Sequence, residues 1–494
     1  MPLTILTDSD VRALLLQLDK QDILELQQSL ADALHYYSTS TDEDSNACCS
    51  SYQPLRTALK RNDGQTTLLM PASSNDGIGV KIVTLLTEDA KQKPGTASAT
   101  ASLDKLYLSS QSTKSANSST TAIESQPTVS STQSTKPKGS LTLFDKSGNP
   151  RALINAEEIT AFRTALASTM LFKKRHNVHD IVVFGAGAQA YWHIRLALLL
   201  RGTDIHHLNI INRDFERVHH LLQKLYNPHE EPSKMNLDPT HIPAYRQPNP
   251  LTDLHRPKIQ ILTPSHGEYD RLLKSTIRAS SVIFFTTPSL TPLFPASYLT
   301  STEGRKKGRY LAAIGSYKPH MVEIHPDILR QAVEPEHGHR HFHKHAARGG
   351  AVVVDSVEAC LAEAGEIIQA GLGPQEVVEL GELVMLKRDA ERRRKECEER
   401  RVGKSKSEEG LDDRGVELGE CEKVLNRKGS SGKGDKDDEG DYEEDKASKS
   451  LVEWLTKGNV IYKSVGLGLM DVVVGSDLCR VADERGIGTR IEDF

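Results

Sequence analysis

The chain has 494 residues, enough for two or three domains and a sizeable core, yet only 37% are apolar, so much of its length lies in polar segments outside any core. A formal net charge of -5 carries no footprint of a nucleic-acid binder, no stretch is apolar and long enough to span a bilayer, and six cysteines make no disulfide framework. Met1 to Asp8 lacks the basic opening and apolar run of a signal peptide, so a cytoplasmic, reducing setting is expected, with no membrane and no nucleic acid as partner.

Thr7 to Asp10 offers helix-capping side chains, and Val11, Leu14, Leu15 and Leu18, then Ile23, Leu26, Leu30 and Leu34, repeat at helical spacing, which predicts two opening helices. Ser51 to Lys60, Thr66 to Met70 and Gly79 to Leu85 read as strands of a mixed sheet that carries Arg56 and Lys81. From about 89 to 138 the composition turns to Ser, Thr, Ala and Gln, which cannot bury enough apolar surface to fold, and a disordered insertion is expected. Gly139 to Asp145 and Arg151 to Ile154, joined by a Ser-Gly-Asn turn, predict a hairpin. Ala156 to Arg175 predicts a helix with Ile159, Phe162, Ala165, Leu166 and Met170 on one side, and it carries Arg163.

The stretch from His179 to His193 reads as a buried strand, Ile181 to Phe184, running into a phosphate-binding turn. Gly185 and Gly187 suit a tight turn in which backbone N–H groups approach a pyrophosphate. Ala190 fills the third small position, and Ala188 and Gln189 open the helix whose N-terminus would face the anion. His207 to Ile211 follows as a second strand and ends on Asn212-Arg213, where a carboxylate usually binds the ribose of NAD. A guanidinium can grip a 2′-phosphate instead, so NADP(H) is the preferred cofactor and NAD(H) the other possibility.

Residues 227 to 256, rich in Pro, His and Asn, read as a loop insertion. The sheet resumes at Ile259 to Leu262 and Ser281 to Phe285, which runs into Thr286, Thr287 and Ser289; at the carboxyl end of a strand these suit the nicotinamide half of the cofactor. Tyr310 to Gly315 is a further buried strand, and Ser316 to His320, then Glu323, should face the same cleft. Alternating histidines from His337 to His345 read as a solvated loop and not as a metal site, since Glu336 is the one carboxylate beside them. Ala351 to Asp355 is a strand, followed by an alanine-rich helix through Gly365, and 387 to 450 is a charged, disordered insertion. Lys463 to Gly466 reads as a turn able to present N–H groups to a ligand, and it opens the last helix.

In order along the chain, Pro54-x-Arg56, Leu69-Met-Pro-Ala72, Val80-Lys-Ile82, Ile159-Thr-x-x-Arg-Thr-Ala165, Gly185-Ala-Gly-Ala-Gln-Ala190, Asn212-Arg213, Asp355-Ser356, Glu363-x-Gly365 and Lys463-Ser-x-Gly466 resemble the ornithine cyclodeaminase and mu-crystallin family. The resemblance implies an α/β fold, a Rossmann-type doubly wound sheet plus a discontinuous α+β substrate and dimerisation domain. On that basis 1–160 is expected to form the substrate and dimerisation domain and 161–376 the NAD(P) domain, with 451–494 returning to the first. It further implies a homodimer and places Arg56, Lys81 and Arg163 on a substrate carboxylate, with Ser316 near the substrate and Ser464 and Gly466 among the cofactor contacts.

Within that family, cyclodeaminases use an Asp just after the Gly that ends the strand equivalent to Leu311 to Gly315, and a Glu just before the Met-Pro motif. Here Ser316-Tyr317 and Leu68 stand there, and none accepts a proton near neutral pH. The resemblance therefore implies an oxidoreductase of the mu-crystallin type, a ketimine reductase that takes a small carboxylated imine. A cyclodeaminase using Glu323 or His320 as substitute, and a non-enzymatic NADPH-binding protein, are the alternatives.

Overall fold

A computed structural model describes residues 2–39, 53–54, 56–62, 65–86, 138–228, 254–334, 350–383 and 451–494. Almost all of the expected 89–138 and 227–256 insertions, the whole 387–450 insertion and the His337 to His345 run lie outside the described residues.

Two sheets organise what is described. The first contains β1 (Leu3–Leu6), β2 (Thr57–Lys60), β3 (Gln65–Ser74), β4 (Gly77–Leu86), β5 (Lys138–Phe144) and β6 (Pro150–Asn155). The second contains β7 (Asp180–Phe184), β8 (His207–Ile211), β9 (Lys258–Leu262), β10 (Val282–Phe285), β11 (Tyr310–Ala313), β12 (Val352–Val354), β13 (Val377–Glu379) and β14 (Val460–Lys463). β15 (Thr489–Ile491) returns to the first sheet, whose order is β15-β1-β6-β5-β4-β3-β2, while the second runs β13-β12-β14-β11-β10-β7-β8-β9.

Every pairing in the second sheet is parallel, and its central strands are buried on both faces, the arrangement a run such as Val-Ile-Phe-Phe requires. The first sheet is mixed: β1 pairs parallel with β6 and antiparallel with β15, and the remaining pairs are antiparallel. It buries one face. Along β4 the side chains alternate, with Lys81 and Val83 inward and Ile78 and Ile82 outward. Lys81 thus occupies a core position, an unusual place for a lysine.

The helices follow from capping and periodicity. α1 (Asp8–Gln17) begins at a Thr7 capping box, and α2 (Lys20–Thr39) follows, with Leu26, Leu30 and Leu34 buried. α3 (Ala156–Phe172), capped by Asn155, is buried along nearly its whole length. α4 (Ala188–Arg201) leaves the turn after β7.

The C-terminal helix, Gly468–Arg485, lies across the inner face of the first sheet. Its close approach depends on two glycines: a Cβ on Gly79 would stand 2.6 Å from Val472 Cγ2, and one on Gly475 would collide with Leu141 Cδ2. No helix among the described residues is long and apolar enough to cross a membrane.

Three expectations need correction. The 451–494 segment does not return whole to the first domain: β14 inserts between β11 and β12 of the parallel sheet, and only the C-terminal helix and β15 go back. β2 starts at Thr57, and of the expected strand residues before it the described Gln53, Pro54 and Arg56 lie outside the ladder, consistent with Pro54, which has no N–H for one. The single helix expected through Gly365 is two, Val357–Glu363 and Gly365–Ala370, broken at an extended Ala364 where Gly365 sits against the Met321 carbonyl.

Gly475→Val should lower stability by about 1–3 kcal/mol, the usual cost of overpacking a filled core. Thermal or urea unfolding checks this; an unchanged midpoint would mean that helix and sheet are not in the contact described.

Candidate active site

The parallel sheet builds the first half of the site at its carboxyl edge. Gly185 leaves β7 at φ +106°, and a Cβ there would stand 2.8 Å from Thr286 Oγ1. Thr286 Oγ1 donates to the Phe184 carbonyl at 2.6 Å, tying the end of β10 to that of β7. Gly187 caps α4 with no side-chain hydrogen bond, and the space a Cβ would take is open. The first-turn N–H groups of Ala188, Gln189 and Ala190 therefore lack a side-chain cap and suit an anion. Ala190 is fully buried, the close helix contact for which a small residue is needed, and the buried Gln189 Oε1 has no partner among the described residues.

Past β8, Asn212 turns its amide onto the Asp214 carbonyl at 2.7 Å, and Asp214 spends its carboxylate on the N–H groups of Glu216 and Arg217 at the head of the helix Phe215–Tyr226. The carboxylate nearest the expected ribose position is engaged in capping, while Arg213 is exposed. Cradle, free helix head and open Gly187 together fit a dinucleotide.

The second half forms where β4, α3 and the C-terminal helix meet. Lys81 Nζ donates to Asp471 Oδ1 at 2.8 Å and Arg163 Nε donates to the same oxygen at 3.3 Å, with all three side chains at most 6% exposed. Asp471 Oδ2 is buried without a partner among the described residues. The Arg163 guanidinium lies against Gly466, where a Cβ would stand 2.6 Å from Nη2, and Gly466 has φ +89°, a conformation only glycine holds easily. Arg56, just before β2, is ion-paired with Glu363.

Burial pushes the Lys81 ammonium down to about 8; Asp471 resists the fall and Arg163 adds to it. Arg56 is lowered too, first by burial, with the Arg163 charge contributing. Arg163 acts on both, so it stands within electrostatic reach of Arg56 and of Lys81.

Two buried carboxylates lace the strand ends together. Asp355, after β12, accepts from Ser464 Oγ at 2.8 Å, Gly466 N at 2.6 Å and Val465 N at 3.4 Å. Ser464 and Gly466 were expected to touch the cofactor; their hydroxyl and N–H are engaged by Asp355 instead, so the turn presents neither donor to a ligand. Glu323 accepts from Thr287 N at 2.6 Å and Thr287 Oγ1 at 3.2 Å through one oxygen, and from Gly315 N at 2.6 Å and Ser316 N at 3.2 Å through the other.

Ser316 likewise does not offer its hydroxyl to a substrate. It is fully buried, with Oγ bonded to Glu366 Oε1 and to Lys463 Nζ. Lys463 pairs with Glu366 Oε2 at 3.2 Å, and Glu366 Oε1 also takes the Glu323 N–H at 2.8 Å. Asp471, Glu366 and Lys463 had no assigned role in the sequence reading. Lys463 is visible in the sequence as the head of the Lys463-Ser-x-Gly466 motif, and it shares with Asp471 the signal of a charge inside an apolar run, as in Val-Ile-Tyr-Lys463 and Leu-Met-Asp471-Val-Val-Val.

No family model matches the chain. An uncharacterized protein of Saccharomyces cerevisiae is 28% identical over 47% of this chain, which spans 59% of that relative's length. A Δ1-pyrroline-2-carboxylate reductase of Bacillus cereus is 23% identical over 89% of each chain. Among solved structures, the same-named enzyme of Thermococcus litoralis, in complex with NADH and L-proline, covers 98% of this chain and 99% of its own at 16% identity and a TM-score of 0.55. An archaeal alanine dehydrogenase dimer with bound NAD covers 100% of both chains at 15% identity and a TM-score of 0.55. A probable ornithine cyclodeaminase of Bordetella pertussis covers 99% of both at 16% identity and 0.51. The chain has the ornithine cyclodeaminase and mu-crystallin family fold.

In this ornithine cyclodeaminase and mu-crystallin fold, the lacing by Glu323 has a pH signature. Burial, reinforced by Glu366 and opposed by Lys463, raises Glu323 from 4.5 to about 7. A carboxyl whose value rises on folding stabilises the fold below 4.5 and loses that contribution as the pH climbs through about 7. Wild type should therefore lose ground to Glu323→Gln between about pH 5 and about pH 8, whatever constant penalty the amide carries. Urea unfolding of both proteins measures the difference; a gap that stays flat or widens across that range would contradict the assignment.

Proposed function

We propose that this chain is an NAD(P)H-dependent reductase of small cyclic imino acids, with NADP(H) preferred. The observation that carries the reading is the meeting of Lys81 and Arg163 on one oxygen of Asp471, with Arg56 in reach, beside the carboxyl edge of a dinucleotide-type sheet. The Δ1-pyrroline-2-carboxylate reductase relative, aligned along 89% of each chain, supports the same substrate class.

In this reading Gly185, Gly187, Ala188, Gln189 and Ala190 hold the pyrophosphate, Thr286 and Thr287 lie by the nicotinamide, and the exposed Arg213 takes the 2′-phosphate. A nicotinamide dinucleotide held there would supply the hydride for the C=N carbon. Arg163, Lys81 and Arg56 hold the substrate carboxylate by charge-assisted hydrogen bonds and so orient that carbon. The burial of Arg163 and Lys81 excludes water and strengthens their contacts. Lys81 Nζ, at about 8, carries a proton at neutral pH and can release it to the imine nitrogen. Asp471 favours the protonated form of Lys81 against the cost of burial.

Cyclodeamination is less well supported. Both oxygens of Glu323, the substitute acid considered for it, are occupied by N–H and O–H donors, and His320 is exposed. A homodimer through the first sheet is part of the proposal: Ile78, Ile82 and Leu153 line its outward face at 38–54% exposure, and the archaeal alanine dehydrogenase is described as a dimer. Light scattering that reads a monomer would remove that part.

The direct test is absorbance-followed oxidation of NADPH and NADH with pyrroline-2-carboxylate and piperideine-2-carboxylate, beside ammonia release from ornithine. Imine-dependent oxidation, faster with NADPH, is the expected result; ammonia release without imine turnover would overturn the reading.

Arg163→Ala should lose roughly 100-fold or more in kcat/KM on carboxylated imines while its affinity for NADPH stays within about threefold. Retained activity would sink the clamp assignment. If Lys81 is the proton donor, imine reduction should decline as the pH rises through about 8, and oxidation of the cyclic amino acid should rise over the same range. Parallel profiles in the two directions would take that role from Lys81.

A further inference from the structure

Behind the ends of β10, β11 and β14 lies a set of ionisable side chains that the proposed chemistry does not use. Glu323, Glu366 and Lys463 are each at most 1% exposed, and Ser316 joins two of them. Glu366 pairs with Lys463, and Glu323 is held by the N–H groups of Thr287, Gly315 and Ser316. Two carboxylates thus face one ammonium. Stability alone does not account for this choice, since a well-packed apolar set of the same volume usually serves a core as well or better.

The position of the set gives it a use. Its members touch the first residues after β10 and β11, the strand ends where a doubly wound sheet receives its ligand. A nicotinamide ring is neutral when reduced and positively charged when oxidised. We propose that Glu323, Glu366 and Lys463 form an electrostatic element of the cofactor site, a net negative charge behind the strand ends that favours the oxidised nicotinamide over the reduced one. This rests on the reading that a nicotinamide dinucleotide binds here. In the direction of imine reduction, the same charge stabilises the positive charge that develops as hydride departs.

The charge count separates this from a merely structural role. Glu366→Gln removes the net negative charge, Lys463→Met increases it, and the double variant restores it without the ion pair. The experiment is calorimetric or fluorescence titration of the full chain with NADP+ and with NADPH at about pH 9.5, well above the value near 7 for Glu323, since loss of Lys463, which holds that carboxyl down, moves it higher. The ratio of Kd for NADP+ to Kd for NADPH should rise roughly five- to twentyfold in Glu366→Gln, the scale of one unit charge acting across a protein interior. It should fall in Lys463→Met and return to within about threefold of wild type in the double variant.

A ratio that stays within about threefold in all variants, or two dissociation constants that rise together as loosened loops would make them, overturns the proposal. Should Glu366→Gln fail to fold, the double variant and Lys463→Met still decide it, because the sign of the shift follows charge and not damage. Failure of wild type to bind either dinucleotide would defeat both this inference and the reductase reading. The expected ratios without turnover of any imine would defeat only the substrate assignment.

Discussion

The rest of the site depends on one buried carboxylate. Asp471 comes from the C-terminal helix, Lys81 from the middle of β4 and Arg163 from α3, and their side chains meet with almost no exposure. Placing a lysine on the core face of a strand is costly unless a partner is built in. The C-terminal helix supplies that partner, and Gly79 and Gly475 are small so that it can come close enough to do so. The packing of helix on sheet and the charge state of Lys81 are therefore one problem with one solution.

At the other half of the site, the strand ends are fixed by carboxylates and not by loop packing alone. Thr286 ties β10 to β7, Glu323 ties the loops after β10 and β11, and Asp355 ties the end of β12 to the turn after β14. Each carboxylate satisfies backbone N–H groups that the sheet leaves unpaired at its carboxyl edge. The result is a floor whose parts are tied to one another, which is what the proposed orientation of a hydride donor against an acceptor would require.

Much of this was legible in the sequence. The parallel strands announce themselves as apolar β-branched runs, the Gly185 to Ala190 turn as a phosphate cradle, and Lys81 as a charge in an alternating strand. The partners of the charges were not legible, because Lys81 and Asp471 are separated by 390 residues and Lys463 and Ser316 by 147. A motif indicates that a residue matters but not which neighbour satisfies it. Ser464 and Gly466 illustrate the point: their pattern suggests donors aimed at a ligand, and Asp355, more than a hundred residues earlier, has already taken them. The resemblance likewise implied that the whole 451–494 segment returns to the first domain, whereas β14 joins the parallel sheet, since a short buried run carries no record of which edges it will join.

The segment from Lys463 to Asp471 joins the two halves. Its first residue belongs to the charged set behind β11, its turn is pinned by Asp355 and lies against the Arg163 guanidinium, and its last residue is the counter-charge of Lys81. Hydride transfer tolerates little error in the separation of donor and acceptor. In the proposed reductase, a single short stretch that contacts both the strand ends of the parallel sheet and the Lys81–Arg163 pair would set that separation directly, without relying on the relative position of two independently packed domains. The segment runs without a break from β14, an inner strand of the parallel sheet, into the helix that packs on the other sheet.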